Sequence, residues 1–287
     1  MAGQHTWIRI AALCGAIAVL VALTADAGVF LRGSGAAAPA VSIRGEAYQY
    51  ATDGVYRFNA QRVVAEGVGW DIFTLFVAVP ALLLSLPRLA RGSLKARLFA
   101  VGLLAYFFYQ YLMYAVTWAF GPLFLPFVAV YALSLVAIAW IVSTVRIDTL
   151  AERASERFPR RGMAILCFVL ALALTAMWLR RIAAGLAGDL SGAMLLGQTT
   201  MVVQALDLGL VVPLAVFTGV AAWRNRPIGY LLSSVVVVKA VAMASAICAM
   251  LLSAWAVEGR LDAGGFAFFG AAALASCWLG VRTYRSL

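Results

Sequence analysis

Asp207 and Lys239 stand inside two neighbouring apolar segments of this 287-residue chain, within the stretch from Gln198 to Met250. A lone charge at such a depth costs about 3 kcal/mol or more, so each marks either a structural pair or a working site. Counted from Thr199, Asp207 lies ~12 Å into its helix; counted from Ile228, Lys239 lies ~16 Å into its own. In a hydrocarbon core ~30 Å thick these levels nearly coincide, which predicts a buried Asp207–Lys239 ion pair between antiparallel neighbours. The same two groups, with Gln204 one turn away from Asp207, also form a candidate site for a small solute or ion.

Further polar residues belong to the same interior. Tyr106, Gln110 and Tyr114 are spaced i, i+4, i+8 and share one helix face, either as a hydrogen-bonded seam between helices or as the lining of a cavity. Asp71 follows Trp70 at the start of an apolar run, where a carboxylate more often caps the first turn than works as an intramembrane acid. Other chemistries find no residues. His5 is the single histidine, and Cys14, Cys167, Cys248 and Cys277 all sit in apolar runs without a CxxC, so no metal and no cofactor is expected. No nucleophile with a base and no phosphate loop is visible, so the chain does not read as an enzyme.

The elements that must position these residues are membrane helices. Apolar residues make up 64% of the chain, charged residues only 12%, and the mean hydropathy is +0.96. That composition lies outside the soluble range, and the runs are as long as a bilayer demands, so the partner is the lipid bilayer. The expected fold is an all-α bundle forming a single integral membrane domain, 1–287. Eight spans are read at about 8–30, 72–86, 98–118, 123–145, 163–179, 199–223, 228–257 and 265–281. The first reads as a retained helix rather than a cleaved signal, because its apolar run is long and its basic flank poor. An outer segment, 33–69, is expected to be a linker followed by a short amphipathic helix around Tyr56 to Glu66.

The net charge of +10 does not point to nucleic acid. Fourteen of its arginines and lysines fall on one side, in loops 87–97, 146–161 and 224–227 and at Arg9, Arg282 and Arg285, against seven on the other, a bias that sets both termini in the cytoplasm. Aligning Pro80 with Pro213 without gaps also places Arg91 on Arg224 and Tyr106 on Lys239. That match would make the chain two parallel four-helix halves, an arrangement in which transporters place sites at the repeat interface.

The runs Gly69-Trp70-Asp71-Ile72-Phe73-Thr74-Leu75, Val79-Pro80, Arg91 to Leu98 and Tyr106 to Tyr111, with Leu206-Asp207-Leu208, Pro213 and Arg226 to Tyr230, resemble a set of uncharacterised bacterial multi-pass membrane proteins. The resemblance implies that topology and a bacterial plasma membrane; the group has no settled activity to lend. Two functions remain open: a transporter or channel-like protein for a small solute or ion, and a sensory, scaffold or assembly protein whose buried polar groups are structural.

Overall fold

The computed structural model describes residues 3–154 and 157–287. Among them, eight helices are long and apolar enough to cross a membrane. Large apolar side chains face outward as well as inward, Leu84 at 74% and Leu274 at 75% exposure among them, and only lipid suits such a surface. The protein is an integral membrane helix bundle.

Helix α1 (Gln4–Phe30) leads to an antiparallel hairpin, β1 (Ala37–Val41) and β2 (Ala47–Ala51), with Ala37 opposite Ala51. The second crossing is continuous from α2 (Gln61–Phe73) through a π-turn (Thr74–Ala78) into α3 (Val79–Ala90), and α4 (Leu94–Thr117) and α5 (Phe124–Ser143) complete the first half. The short α6 (Ile147–Arg153) precedes the second half. There α7 (Arg160–Leu186) and the single turn α8 (Leu190–Ala193) are followed by a crossing built from α9 (Val202–Leu206), a π-turn (Asp207–Val211) and α10 (Val212–Trp223). Helices α11 (Pro227–Glu258) and α12 (Ala263–Ser286) end the chain. Both ends of the described chain lie at the end of the bundle opposite the hairpin.

Two expectations change. The second crossing begins at Gln61 rather than Ile72, because Arg62 and Glu66 neutralise one another at 3.0 Å and Arg62 also reaches Glu258 on α11 at 2.9 Å. The charges that seemed to stop the span are thus spent in contacts. Residues 33–60 hold a hairpin rather than a linker, Gly45 (φ +83°) making its turn, and Tyr56 lies before the helix rather than on it.

The two halves share their internal boundaries. The shift that carries Pro80 onto Pro213 carries the first π-turn onto the second, α3 onto α10 end for end, and the first residue of α4 onto that of α11. It also carries Gly92 onto Asn225, both left-handed at φ +76° and +55°. Helices α1 and α7 are each 27 residues long. The π-turns have a common cause. Proline lacks the N–H that would close an α-turn, and its ring strikes the carbonyl four residues back. Widening the turn moves that carbonyl aside, and the N–H of Val79 bonds Thr74 O just as that of Val212 bonds Asp207 O. Helices α4 and α11 run in the same direction and touch at Gly102, where a Cβ would stand 2.5 Å from Val238 Cβ and 2.9 Å from the carbonyl oxygen of Val235. Val235 is the shifted counterpart of Gly102, so each half meets its own equivalent there, as at a two-fold interface.

Candidate functional site

Two buried carboxylates organise the interior. Asp71 is fully buried, ~15 Å along its helix from Gln61 and nowhere near a first turn, so it is not the cap that its flanking sequence suggests. The correction follows from the earlier helix start. Tyr56 Oη donates to Asp71 Oδ2 at 2.5 Å, while Tyr114 Oη at 3.1 Å and Gln110 Nε2 at 3.3 Å both donate to Oδ1. Thr74 Oγ1 donates to Gln110 Oε1 at 2.7 Å, which orients the amide so that its nitrogen faces the acid. With the one hydroxyl hydrogen of Thr74 so used, Tyr106 is the donor in the 2.7 Å Thr74–Tyr106 contact. The stripe Tyr106, Gln110 and Tyr114 therefore turns toward the second crossing.

Room for this cluster comes from α1. A Cβ on Gly28 would stand 2.1 Å from Asp71 Oδ2 and 2.2 Å from Tyr56 Oη, so only glycine lets the phenol reach the acid. Tyr56 enters from the hairpin side and is 1% exposed, its ring edge-on to Trp118 at 4.3 Å. Asn59 fixes the same loop, donating from Nδ2 to Tyr56 O at 3.0 Å and accepting from Ala119 N–H at 2.8 Å.

Asp207 opens the second π-turn and is 8% exposed. Tyr109 Oη donates to its Oδ1 in a short hydrogen bond, and Trp178 Nε1 donates to Oδ2 at 2.8 Å. Lys239 does not pair directly with Asp207: no ammonium–carboxylate contact within 4.0 Å joins them among the described residues. Its Nζ lies instead over the Tyr109 ring, 4.6 Å from the centroid. Tyr109 meets both groups, its hydroxyl the acid and its ring the ammonium, so the two charges share one region of the core with the phenol between them. Donation to the carboxylate enriches the ring in negative charge, which strengthens its hold on the ammonium.

The repeat shift carries Thr74 onto Asp207 and Tyr106 onto Lys239. Where the first half has a neutral hydrogen-bonded pair, the second has two opposite charges held apart. The coupling energy between Asp207→Asn and Lys239→Gln, from a double-mutant cycle of thermal stability in detergent, is expected at about 1 kcal/mol. A value above ~3 kcal/mol would mean a direct buried ion pair. Gln204 is buried on α9, but its amide bonds to neither cluster.

At the hairpin end, a cleft of about 240 Å³ is lined by Tyr48, Phe58, Asn59, Trp118, the segment Leu196 to Thr200 and Val202, among others. Beside Tyr56 and Tyr114 is a second void of about 10 Å³, room for roughly one water.

No family model matches the chain, and no curated protein or solved structure is similar to it.

The geometry alone therefore assigns chemistry here. Among the described residues no His/Cys/Asp/Glu group has the arrangement of a metal site. What the interior offers is two carboxylates served by neutral donors, with one ammonium beside the second. Four members escaped the sequence reading. Tyr109 was visible as a polar residue but lies off the i, i+4, i+8 face; Thr74 is too small to stand out. Tyr56 and Trp178 come from segments whose contacts only the fold decides. Tyr109 had one usable signal, its position one turn before Met113 on a helix unusually rich in tyrosine.

Proposed function

We propose that this membrane protein is a transporter or channel-like protein for a small solute or ion, with Asp207, Tyr109 and Lys239 as its working group. The observation that carries the reading is the open charge pair: Asp207 and Lys239 share one region of the core yet are not closed on each other. A pair serving structure alone gains most from direct contact. Charges separated by one movable phenol can exchange partners with a passing ion or polar group. Tyr109 stands on α4 of the first half and the two charges stand in the second, so the group bridges two parallel halves, which fits an alternating rearrangement of the halves about the site. The arginine bias of the loops supports both termini in the cytoplasm and the hairpin outside; the resemblance of the sequence runs is what suggests a bacterial plasma membrane.

A sensory or scaffold role is the second reading, and the Asp71 cluster favours it, since that acid has three donors and a sealed site. The two clusters divide the tasks: Asp71 holds the first half fixed while Asp207 works in the second.

The test is flux in proteoliposomes under a pH gradient. Wild type is expected to move protons or a counter-solute, and Asp207→Asn to reduce the rate roughly a hundredfold, about 2.7 kcal/mol in barrier. Equal rates in wild type, Asp207→Asn and empty vesicles, across a panel of inorganic ions and neutral solutes, would overturn the transport reading and leave the scaffold role.

A further inference from the structure

We propose that the cleft at the hairpin end binds a small, neutral, polyhydroxylated solute with one apolar face, a molecule of monosaccharide size. The inference rests on the transport reading only for what happens to the solute afterwards; binding stands on the cleft itself.

Charge decides the ligand class first. No Asp, Glu, Lys, Arg or His is among the cleft's lining side chains. The neighbouring charges are engaged with the protein: Glu46 accepts the N–H groups of Leu196 and Gly197, each at 3.2 Å, Arg44 donates to Thr199 O at 3.0 Å, and Arg57 lies over the Phe58 ring at 5.2 Å. An ionic ligand would find no counter-charge among the lining side chains and would have to draw one from these contacts. Shape and polarity follow. Phe58 and Trp118 present apolar ring surface, as the flat C–H face of a sugar or cyclic polyol requires. Elsewhere in the lining, the Gln198 amide and the Thr199 and Thr200 hydroxyls have no intramolecular hydrogen-bond partner among the described residues. These unspent donors and acceptors match hydroxyl groups, each of which can both donate and accept. The volume, about 240 Å³, falls just below the ~300–1,000 Å³ of drug-sized sites, and so suits a single ring.

Backbone strain supplies an independent observation. Phe58 has φ +73° and Leu196 φ +51°, and both residues line the cleft. A bulky residue in the left-handed region costs about 1–3 kcal/mol, and such outliers gather at ligand sites. Phe58 N–H donates to Ala51 O at 2.7 Å and Ala51 N–H to Asn59 O at 2.9 Å, which fixes the turn, while Phe58 itself stays 56% exposed. The strain holds the ring at the cleft. From the lining residue Val202, Asp207 lies ~7.5 Å further along the same crossing, so a bound solute sits within about two turns of the working charges.

The experiment uses the full-length protein in nanodiscs, titrated with D-glucose, D-xylose and myo-inositol and followed by tryptophan emission, since Trp118 lines the cleft. D-gluconate and D-glucosamine serve as charged counterparts. At least one neutral probe is expected to saturate the signal, and the charged counterparts to bind at least tenfold more weakly. Gln198→Ala and Phe58→Gly should each weaken the neutral probe roughly tenfold. Phe58→Gly deletes the ring while relieving the strain, so folding is not at risk. No saturation by any neutral probe, equal binding of the charged ones, or indifference to both substitutions would overturn the proposal. Binding without flux would overturn transport and leave the cleft standing; flux of a probe unchanged by both substitutions would do the reverse.

Discussion

Gly28→Ala is expected to displace Tyr56 from the bundle and to cost about 3 kcal/mol or more. The added methyl would fall 2.1 Å from Asp71 Oδ2 and 2.2 Å from the Tyr56 hydroxyl, inside a core where these two atoms have each other as partner while Tyr114 and Gln110 serve the other carboxylate oxygen. Overpacking contributes about 1–3 kcal/mol, and loss of a hydrogen bond to a buried carboxylate a similar amount. Thermal unfolding in detergent measures the loss, and quenching by acrylamide reads the opening at Trp118, which packs on Tyr56. Adding Tyr56→Phe removes one of the two struck atoms, so the double variant should recover part of the packing term. A Gly28→Ala protein with wild-type stability and a shielded Trp118 would show that α1 does not confine this pair.

Gly69→Val should be at least as damaging, through backbone instead of side chain. Its Cβ would stand 2.3 Å from Ala249 O and 2.8 Å from Met250 Cα, so α2 and α11 would have to separate. Inside a bilayer, helices associate largely through close packing, which a separated pair forfeits. The expected loss is again about 3 kcal/mol or more. Gly209→Ala is the matched control, since nothing lies within 4 Å of its Cβ, and it should stay within about 1 kcal/mol of wild type. Equal unfolding temperatures for the two variants would overturn the close crossing.

The eight crossings were legible because bilayer thickness imposes one length on every apolar run, and seven of them begin within four residues of the expected place. The second was read too short because Arg62 and Glu66 look like an aqueous segment until Glu258, remote in sequence, completes their pairing. That single misplacement also turned Asp71 from an interior acid into a supposed cap. The depth of Asp207 and Lys239 could be counted from rise per residue. Their separation could not, since it depends on where the Tyr109 ring settles. Repetition was half visible: the prolines carried it, whereas the π-turns they cause, and the crossing of α4 and α11 at Gly102, required the backbone.

The matched boundaries of the two halves bear on how such a chain could arise. Each half crosses the bilayer four times, so it begins and ends on the same side. Parity is the decisive property. An even-numbered unit copied in tandem inserts the right way up both times, with no need to reverse its charge bias or to add a linking span. An odd-numbered unit would enter upside down and meet its twin head to tail. Even parity thus lets two like units lie side by side in one chain without reversing either. At the shifted positions the first half holds Thr74 and Tyr106, and the second an acid and a base, Asp207 and Lys239.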